Sequence, residues 1–302
     1  MKKSIFIRFA MSFFSFLLIV AYIPLQGRLA ISQTSQGGEE KVELDVPYEP
    51  SSEDVVLMMI EMAKVGKNDT VYDLGCGDGR IVIMASQKTG ALGVGVDLDP
   101  DRVKESQENA RKANVTDRVK FFRQDLFQTK INEASVVMLY LYPEVNLKLR
   151  PKLLQELKPG TRIVSHSHDM GGWEPDQTRV ASNGHKIHFW VIPEKVGGTW
   201  EWNMAGEKAP YLLTLKQDFQ KVSGTLLAGS EEIPLKHLRL MGDRLELTIE
   251  RMVRGRAETW RFSGRFHGHL LEGTVQRVGM GSEEKKTWRA TREPSTMKPL
   301  DG

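Results

Sequence analysis

The chain has 302 residues, is 40% hydrophobic and 27% charged, and carries a formal net charge of +3. That balance supports a true core, and no Lys/Arg stripe marks a nucleic-acid binder. The single cysteine, Cys76, excludes an intrachain disulfide, a thiolate metal centre and a lipid-bearing N-terminal cysteine.

The first segment is not globular in pattern. Lys2, Lys3 and Arg8 precede an apolar run from about Phe9 to Leu25. Residues 1–27 therefore read as a signal peptide or a membrane anchor. Positive charges before the run keep the N-terminus cytoplasmic. The body is expected to be membrane-tethered or exported to the periplasm. Residues 28–44, polar and Gly/Ser-rich through ISQTSQGGEE, read as a flexible linker.

From 45 to 194 helix and strand signals alternate. Ser51 to Asp54 has the hydroxyl-rich, acidic character of a helix start, and Val55, Met58, Met59, Met62 and Val65 follow at helical spacing. TVYDLG is a short strand, GRIVIMASQK a helix and GALGVGVD a buried strand. DPDRVKESQENARKANV is a long polar helix. RVKFFRQD is a strand, and ASVVMLYL is a strand buried on both faces. PEVNLKLRPKLLQELKPG is a helix in which Pro151 marks a kink or a break. TRIVSHSH and KIHFWVIP are strands. This alternation predicts an α/β fold, a parallel sheet with helices on both faces. Ligands of such sheets sit outside the carboxyl ends of the strands, where strand order reverses.

VYDLGCGDGRIVI falls at such a carboxyl end. Its glycines, Gly75, Gly77 and Gly79, do not have the Gly-x-Gly-x-x-Gly spacing of a dinucleotide loop. Asp73 precedes them, and a carboxylate there repels a phosphate and suits a cation. Asp97 ends the second strand, where it can accept hydrogen bonds from both hydroxyls of a ribose. Asp125, with Leu126 beside it, follows the third strand, where it can meet an adenine amino group. Cys76, in the glycine turn, is a packing residue lining the same site. A ligand with a cationic amino-acid end, a ribose and an adenine, but no phosphate, is S-adenosyl-L-methionine.

DLGCGDGR, GVGVDLDP and FFRQDLF resemble, in order and interval, the first three motifs of class I S-adenosylmethionine-dependent methyltransferases. The resemblance covers about half the chain, Val46 to Pro193. DVPYEPSSEDVV and LYLYPEVNLKLRPKLLQELKPGTRIVSH resemble a subgroup of archaeal and mitochondrial protein-lysine methyltransferases. The resemblance implies a Rossmann-like, seven-stranded methyltransferase sheet. It also implies a cofactor lid at 47–52 that includes Tyr48, and an acceptor channel lined by Tyr140 to Glu144. The chain lacks the Asn/Asp-Pro-Pro-Tyr tetrapeptide of many N-methyltransferases, so no motif fixes the acceptor atom.

A lysine acceptor must lose a proton from a group whose ordinary pKa is about 10.4. Tyr140 and Tyr142, two apart and on one face if in a strand, can wall such an amine and lower that value by desolvation. Glu144 can take the proton or orient the amine, or else serve the first turn of a helix. SHSHDMGGW offers His166 and Asp169 as acceptor-side acid or base. A His-x-His metal pair and simple loop hydrogen bonding are the other readings there; no metal is expected.

Between 195 and 295 the pattern turns to alternating strands. Trp200 and Trp202 share a face, LMGDRLELTIE carries a Gly-Asp hairpin signal, and HGHLLEGTVQ echoes VSGTLLAG. An antiparallel meander closing into a small lipocalin-like β-barrel is expected, either filled or with room for an apolar ligand. His237, His267 and His269 read as surface residues, and 296–302 as a tail. The expected activity is N-methylation of protein lysine, with the acceptor protein as partner and no nucleic acid. The alternatives are methylation of a small molecule or lipid at the membrane, and an exported S-adenosylmethionine-binding sensor without activity.

Overall fold

A computed structural model gives the structure of residues 49–204, 208–253, 255–278, 285–298 and 300. The segment read as a signal or anchor, the linker and Tyr48 lie outside the described residues.

The first half runs α1 (Glu53–Met62), β1 (Thr70–Leu74), α2 (Arg80–Thr89), β2 (Leu92–Asp97), α3 (Pro100–Lys112), β3 (Val119–Arg123), β4 (Val136–Leu139), α4 (Pro143–Glu156), β5 (Arg162–His166), β6 (Gln177–Val180) and β7 (Lys186–Val191). They form a seven-stranded sheet in the order β3-β2-β1-β4-β5-β7-β6. The central strands are apolar on both faces because both faces are covered. Val71, Val136, Met138 and Val164 pack with α1, α2 and α3. Tyr72, Leu74, Val137, Leu139 and Ile163 pack with Leu149, Leu153 and Leu154 of α4. Strand order reverses at β1, between β2 and β4.

Three local readings differ from expectation. The sheet is mixed: β7 runs antiparallel to both β5 and β6, since β6 and β7 form a hairpin and need no crossover. Strand β6 is a mostly exposed edge strand without an apolar alternation to announce it. Helix α4 continues through Pro151 to Glu156. Its buried residues Val145, Leu149, Leu153 and Leu154 anchor it to the sheet, while Pro151 is exposed.

The second half is all β: β8 (Gly198–Trp202), β9 (Tyr211–Asp218), β10 (Lys221–Ala228), β11 (Glu231–Ile233), β12 (Leu235–Met241), β13 (Arg244–Val253), β14 (Arg256–His267), β15 (Leu270–Val278) and β16 (Lys285–Arg292). These nine antiparallel strands run in the order β11-β10-β9-β8-β16-β15-β14-β13-β12, and β10 meets β12 to bring the sheet nearly to closure. Gly242 and Asp243 make the turn between β12 and β13. The interior is packed with large rings. Trp202 stacks on Tyr211 at 5.3 Å and meets Trp288 edge-on at 5.5 Å, with Phe262 against both. His237, His267 and His269 are exposed. The region read as a tail is held in part: Thr296 Oγ1 accepts from the Thr199 amide at 2.8 Å, and Leu300 packs against the α4 core.

The placement of the body at or beyond a membrane is corrected. Among the described residues no helix is long and apolar enough to cross a bilayer. The longest, α4, has 14 residues and spans about 21 Å, short of the roughly 30 Å hydrocarbon layer.

Candidate active site

A cleft opens at the carboxyl ends of β1, β2 and β4, lined by Glu49, Ser51, Asp73, Gly75, Gly77, Asp97, Leu126 and Tyr140 among others. The chain turns out of β1 with the amides of Gly75 and Cys76 both donating to the Val96 carbonyl at 2.9 Å. It enters α2 through Gly79, at φ +80°. A Cβ there would stand 2.6 Å from the Phe121 ring, so only glycine fits. The turn brings the Gly77 amide to Asp97 Oδ2 at 2.8 Å, while the Asp99 amide donates to Oδ1 at 3.0 Å. Asp97 is thus fixed with one lone pair on each oxygen still open to the cleft.

Asp73 is 1% exposed, and neither carboxylate oxygen has a hydrogen-bond partner. Burial, then the charges of Asp97 and Asp78, hold its carboxyl well above the usual range. A buried, unpartnered carboxylate beside two others is costly unless a cation joins it. Burial also pushes the Cys76 thiol well up. Its sulfur fills space against Gly95, where an added Cβ would meet it at 2.9 Å. The thiol is a packing atom, as its place in the turn implied.

On the rim, Arg80 pairs with Asp78 at 2.7 Å and donates from Nη1 to the Ser51 carbonyl at 2.9 Å. The segment before α1 is thereby tied to α2. Opposite, Tyr140 lies past the end of β4 and not within it. Burial first, then the Glu49 carboxylate near its phenol, pushes its pKa up to about 12. The ring lies 3.9 Å from that of His166.

His166 is 2% exposed. Its Nδ1 meets Ser51 Oγ at 2.9 Å and its Nε2 meets His185 Nδ1 at 2.8 Å. Burial first, then His185 and His168, push it down to about 4. Both nitrogens are engaged and the ring is neutral at neutral pH. The imidazole therefore joins the segment before α1, β5 and the β6–β7 hairpin behind Tyr140. Its protonation favours the unfolded chain, whose histidine titrates near 6.5. Its stabilising share is complete above pH 6.5 and lost as pH falls towards 4. Thermal melts are expected to lose roughly 2 kcal/mol over that window, once screening by water in the cleft is allowed for. In His166→Gln that component of the pH dependence should vanish; an unaltered profile would refute the assignment.

The remaining sequence-predicted residues lie further out. Asp125 does not line the cleft: its carboxylate accepts from the Phe127 amide at 2.8 Å and from Gln128 Nε2 at 3.1 Å, and its neighbours Gln124 and Leu126 face the cleft instead. Tyr142 caps α4, is 40% exposed and meets the His168 ring edge-on at 6.1 Å. Glu144 is exposed in the first turn of α4. Asp169 is exposed and accepts the Gly171 amide at 3.0 Å.

A family model described as the ANTKMT methyltransferase domain matches residues 73–177. A protein-lysine N-methyltransferase of Saccharolobus islandicus (strain REY15A) is 44% identical over 153 residues, 49% of this chain and 95% of that protein. The chain belongs to the S-adenosylmethionine-dependent methyltransferases. The adenine nucleotide translocase lysine N-methyltransferase of Mus musculus is 33% identical over 132 residues, 44% of this chain; the match spans 57% of that protein's length. A structure described as an RNA methyltransferase from Salinibacter ruber in complex with S-adenosyl-L-homocysteine is 51% identical, covering 49% of this chain and 96% of its own, at a TM-score of 0.48.

In this methyltransferase, sequence reading missed Arg80 and His185. Glu49 and Ser51 stand within the DVPYEPSSEDVV motif and the 47–52 stretch expected as a lid, but the Ser51 contact with His166 was not read. His185 carries no signal at all, since only the β6–β7 hairpin brings it to His166.

Proposed function

We propose that the chain transfers a methyl group from S-adenosylmethionine to the side-chain amine of a lysine in a protein acceptor. The observation that carries the cofactor half is Asp73, a buried carboxylate with no partner at the mouth of a glycine turn. The names of the archaeal and mouse relatives support the acceptor half. Bound S-adenosylmethionine supplies an electrophilic methyl group on a sulfonium whose sulfur leaves readily.

In this reading Asp73 holds the ammonium of the amino-acid end, with the backbone of Gly75, Cys76, Gly77 and Gly79 against it. Asp97, already oriented by two amides, accepts from the ribose hydroxyls. Leu126 and Gln124 flank the base, and Asp125 shapes their turn from within. Tyr48 belongs to the proposed lid. Tyr140 stays a neutral phenol at any working pH and walls the incoming amine. Desolvation against that ring disfavours the ammonium and releases the lone pair that attacks. Glu49, which lines the cleft with Tyr140, is the carboxylate assigned the departing proton. Tyr142, Glu144 and Asp169 form the outer acceptor side. His166, closed off by Ser51 and His185, positions Tyr140.

The test incubates the protein with methyl-labelled S-adenosylmethionine and a cell extract, then separates protein from lipid and small molecules and maps the label. Methyl-lysine in a protein is the expected result. Label confined to lipid or small molecules, or absent, overturns the acceptor assignment.

A further inference from the structure

The loop after β5, residues 167–176, carries His168 and Asp169 and stands against Tyr142. It is gripped from two sides. From α4, Asn146 Nδ2 donates to the carbonyls of His168 and Asp169 at 3.2 and 3.3 Å, and Arg150 Nη1 donates to the Met170 carbonyl at 2.9 Å.

From the barrel comes the turn between β9 and β10. Phe219, at φ +49° and 9% exposed, lays its ring on Trp173 at 5.7 Å and 13°. Gln220 Oε1 accepts from Trp173 Nε1 at 2.9 Å, and Gln220 Nε2 donates to the Glu174 carbonyl at 2.7 Å. Lys221 pairs with Glu174 at 2.6 Å. Trp173 is fully buried, and its carbonyl accepts from Trp190 Nε1 at 2.9 Å. Phe219 also lies under the Arg150 guanidinium at 5.5 Å, so the two grips share a residue.

A non-glycine residue at positive φ is an uncommon conformation, held only where its surroundings fix it. Here what fixes it is a side chain inserted into the core of the other half: Phe219 joins the cluster of α4, Trp173 and Trp190. A barrel serving only as an appended module would need no such insertion into the loop beside the acceptor side.

We infer that the β9–β10 turn positions the acceptor-side loop, with Phe219 and Gln220 as positioning residues acting through Trp173 on His168, Asp169 and Tyr142. This rests on the proposal that the acceptor enters past Tyr140 and Tyr142. Among the described residues no hydrogen bond, ion pair or ring contact joins Phe219 or Gln220 to Asp73, Gly77 or Asp97, so the effect falls on acceptor use and spares cofactor affinity.

The test compares full-length Phe219→Ala/Gln220→Ala and Phe219→Tyr with the parent chain. Hydrogen exchange reads the loop directly, whatever the acceptor proves to be. Acceptor kinetics use whichever molecule takes label from methyl-labelled S-adenosylmethionine. The double variant is expected to exchange faster at 168–173, to bind cofactor with unchanged affinity, and to lose about 10- to 100-fold in kcat/KM for the acceptor. Phe219→Tyr should restore the kinetics. Unchanged exchange overturns the inference; so does faster exchange with unchanged acceptor kinetics, or an equal loss of cofactor affinity. Methyl transfer to a non-protein molecule would overturn the lysine assignment alone and leave this comparison intact.

Discussion

Asp73→Asn is expected to weaken S-adenosylmethionine binding by about 100- to 1,000-fold, the loss of a buried charge-assisted contact, while making the cofactor-free chain more stable. The two effects have one cause. The carboxylate is fully enclosed, has no partner of its own, and faces Asp97 and Asp78. Its folded-state pKa lies above the 3.8 of an ordinary aspartate, so the folded chain holds its proton more tightly than the unfolded chain. By linkage, the residue detracts from stability as pH rises above 3.8, up to the folded value, and beyond that the penalty is constant. Asparagine removes the penalty and keeps the shape. At neutral pH the variant should gain about 1–3 kcal/mol, and the gain should disappear towards pH 3.8. Calorimetry supplies a second check. At a pH between 3.8 and the folded value, where Asp73 still holds its proton, an arriving cation expels it, so the binding enthalpy of the parent chain measured there should vary with the ionisation enthalpy of the buffer. That variation should be absent in the variant. A variant that binds normally, or melts lower, would show that Asp73 is structural.

Gly79→Ala should destabilise the chain by about 2–4 kcal/mol, combining a strained left-handed backbone with overpacking. It should also abolish measurable cofactor binding. The added carbon would lie 2.6 Å from two atoms of the Phe121 ring and 2.8 Å from Ser106 Cβ, at φ +80°. Phe121 cannot retreat, because it already fills the space over Gly95, where a Cβ would meet it at 2.5 Å. Gly184→Ala is the control. It has nearly the same φ, +84°, and nothing within 4 Å of the new carbon, so only the backbone strain of about 1–2 kcal/mol applies. Thermal melts of the two variants separate strain from crowding. Equal losses would mean that the packing under the glycine turn yields.

The glycine turn was legible because its constraints are local. A strand, a sharp turn and a helix start occupy adjacent residues, and Asp73 to Gly79 can be read from their own spacing. Asp97 was legible for the same reason, standing at the end of a strand that pairs in register with β1. Asp125 stood at the expected strand end, but its side chain satisfies amides of its own turn, a competition no strand pattern encodes. The antiparallel β5–β7 pair escaped notice because β6 alternates in nothing, and α4 runs on without a break at Pro151 because burial outweighs the missing amide. The acceptor side was the least legible. Ser51 meets His166, and Trp173 meets Gln220, across chain separations that only the finished topology closes. The apolar run before residue 28 spoke of address and not of fold, and the membrane placement drawn from it finds no spanning helix among the described residues.

The barrel closes late. β8, its first strand, pairs on one side with β9 and on the other with β16, Glu201 against Thr291. The mixed sheet, by contrast, has all of its strands by Val191. Chains emerge N-terminus first, and domains fold as units as they are made. A growing chain can therefore complete the glycine turn, Asp73 and Asp97 while most of the barrel is still unsynthesised. The seat against Trp173 gains its full support only when the last strand arrives. The groups that line the cleft can thus be in place before the turn that seats on Trp173 has its neighbouring strands.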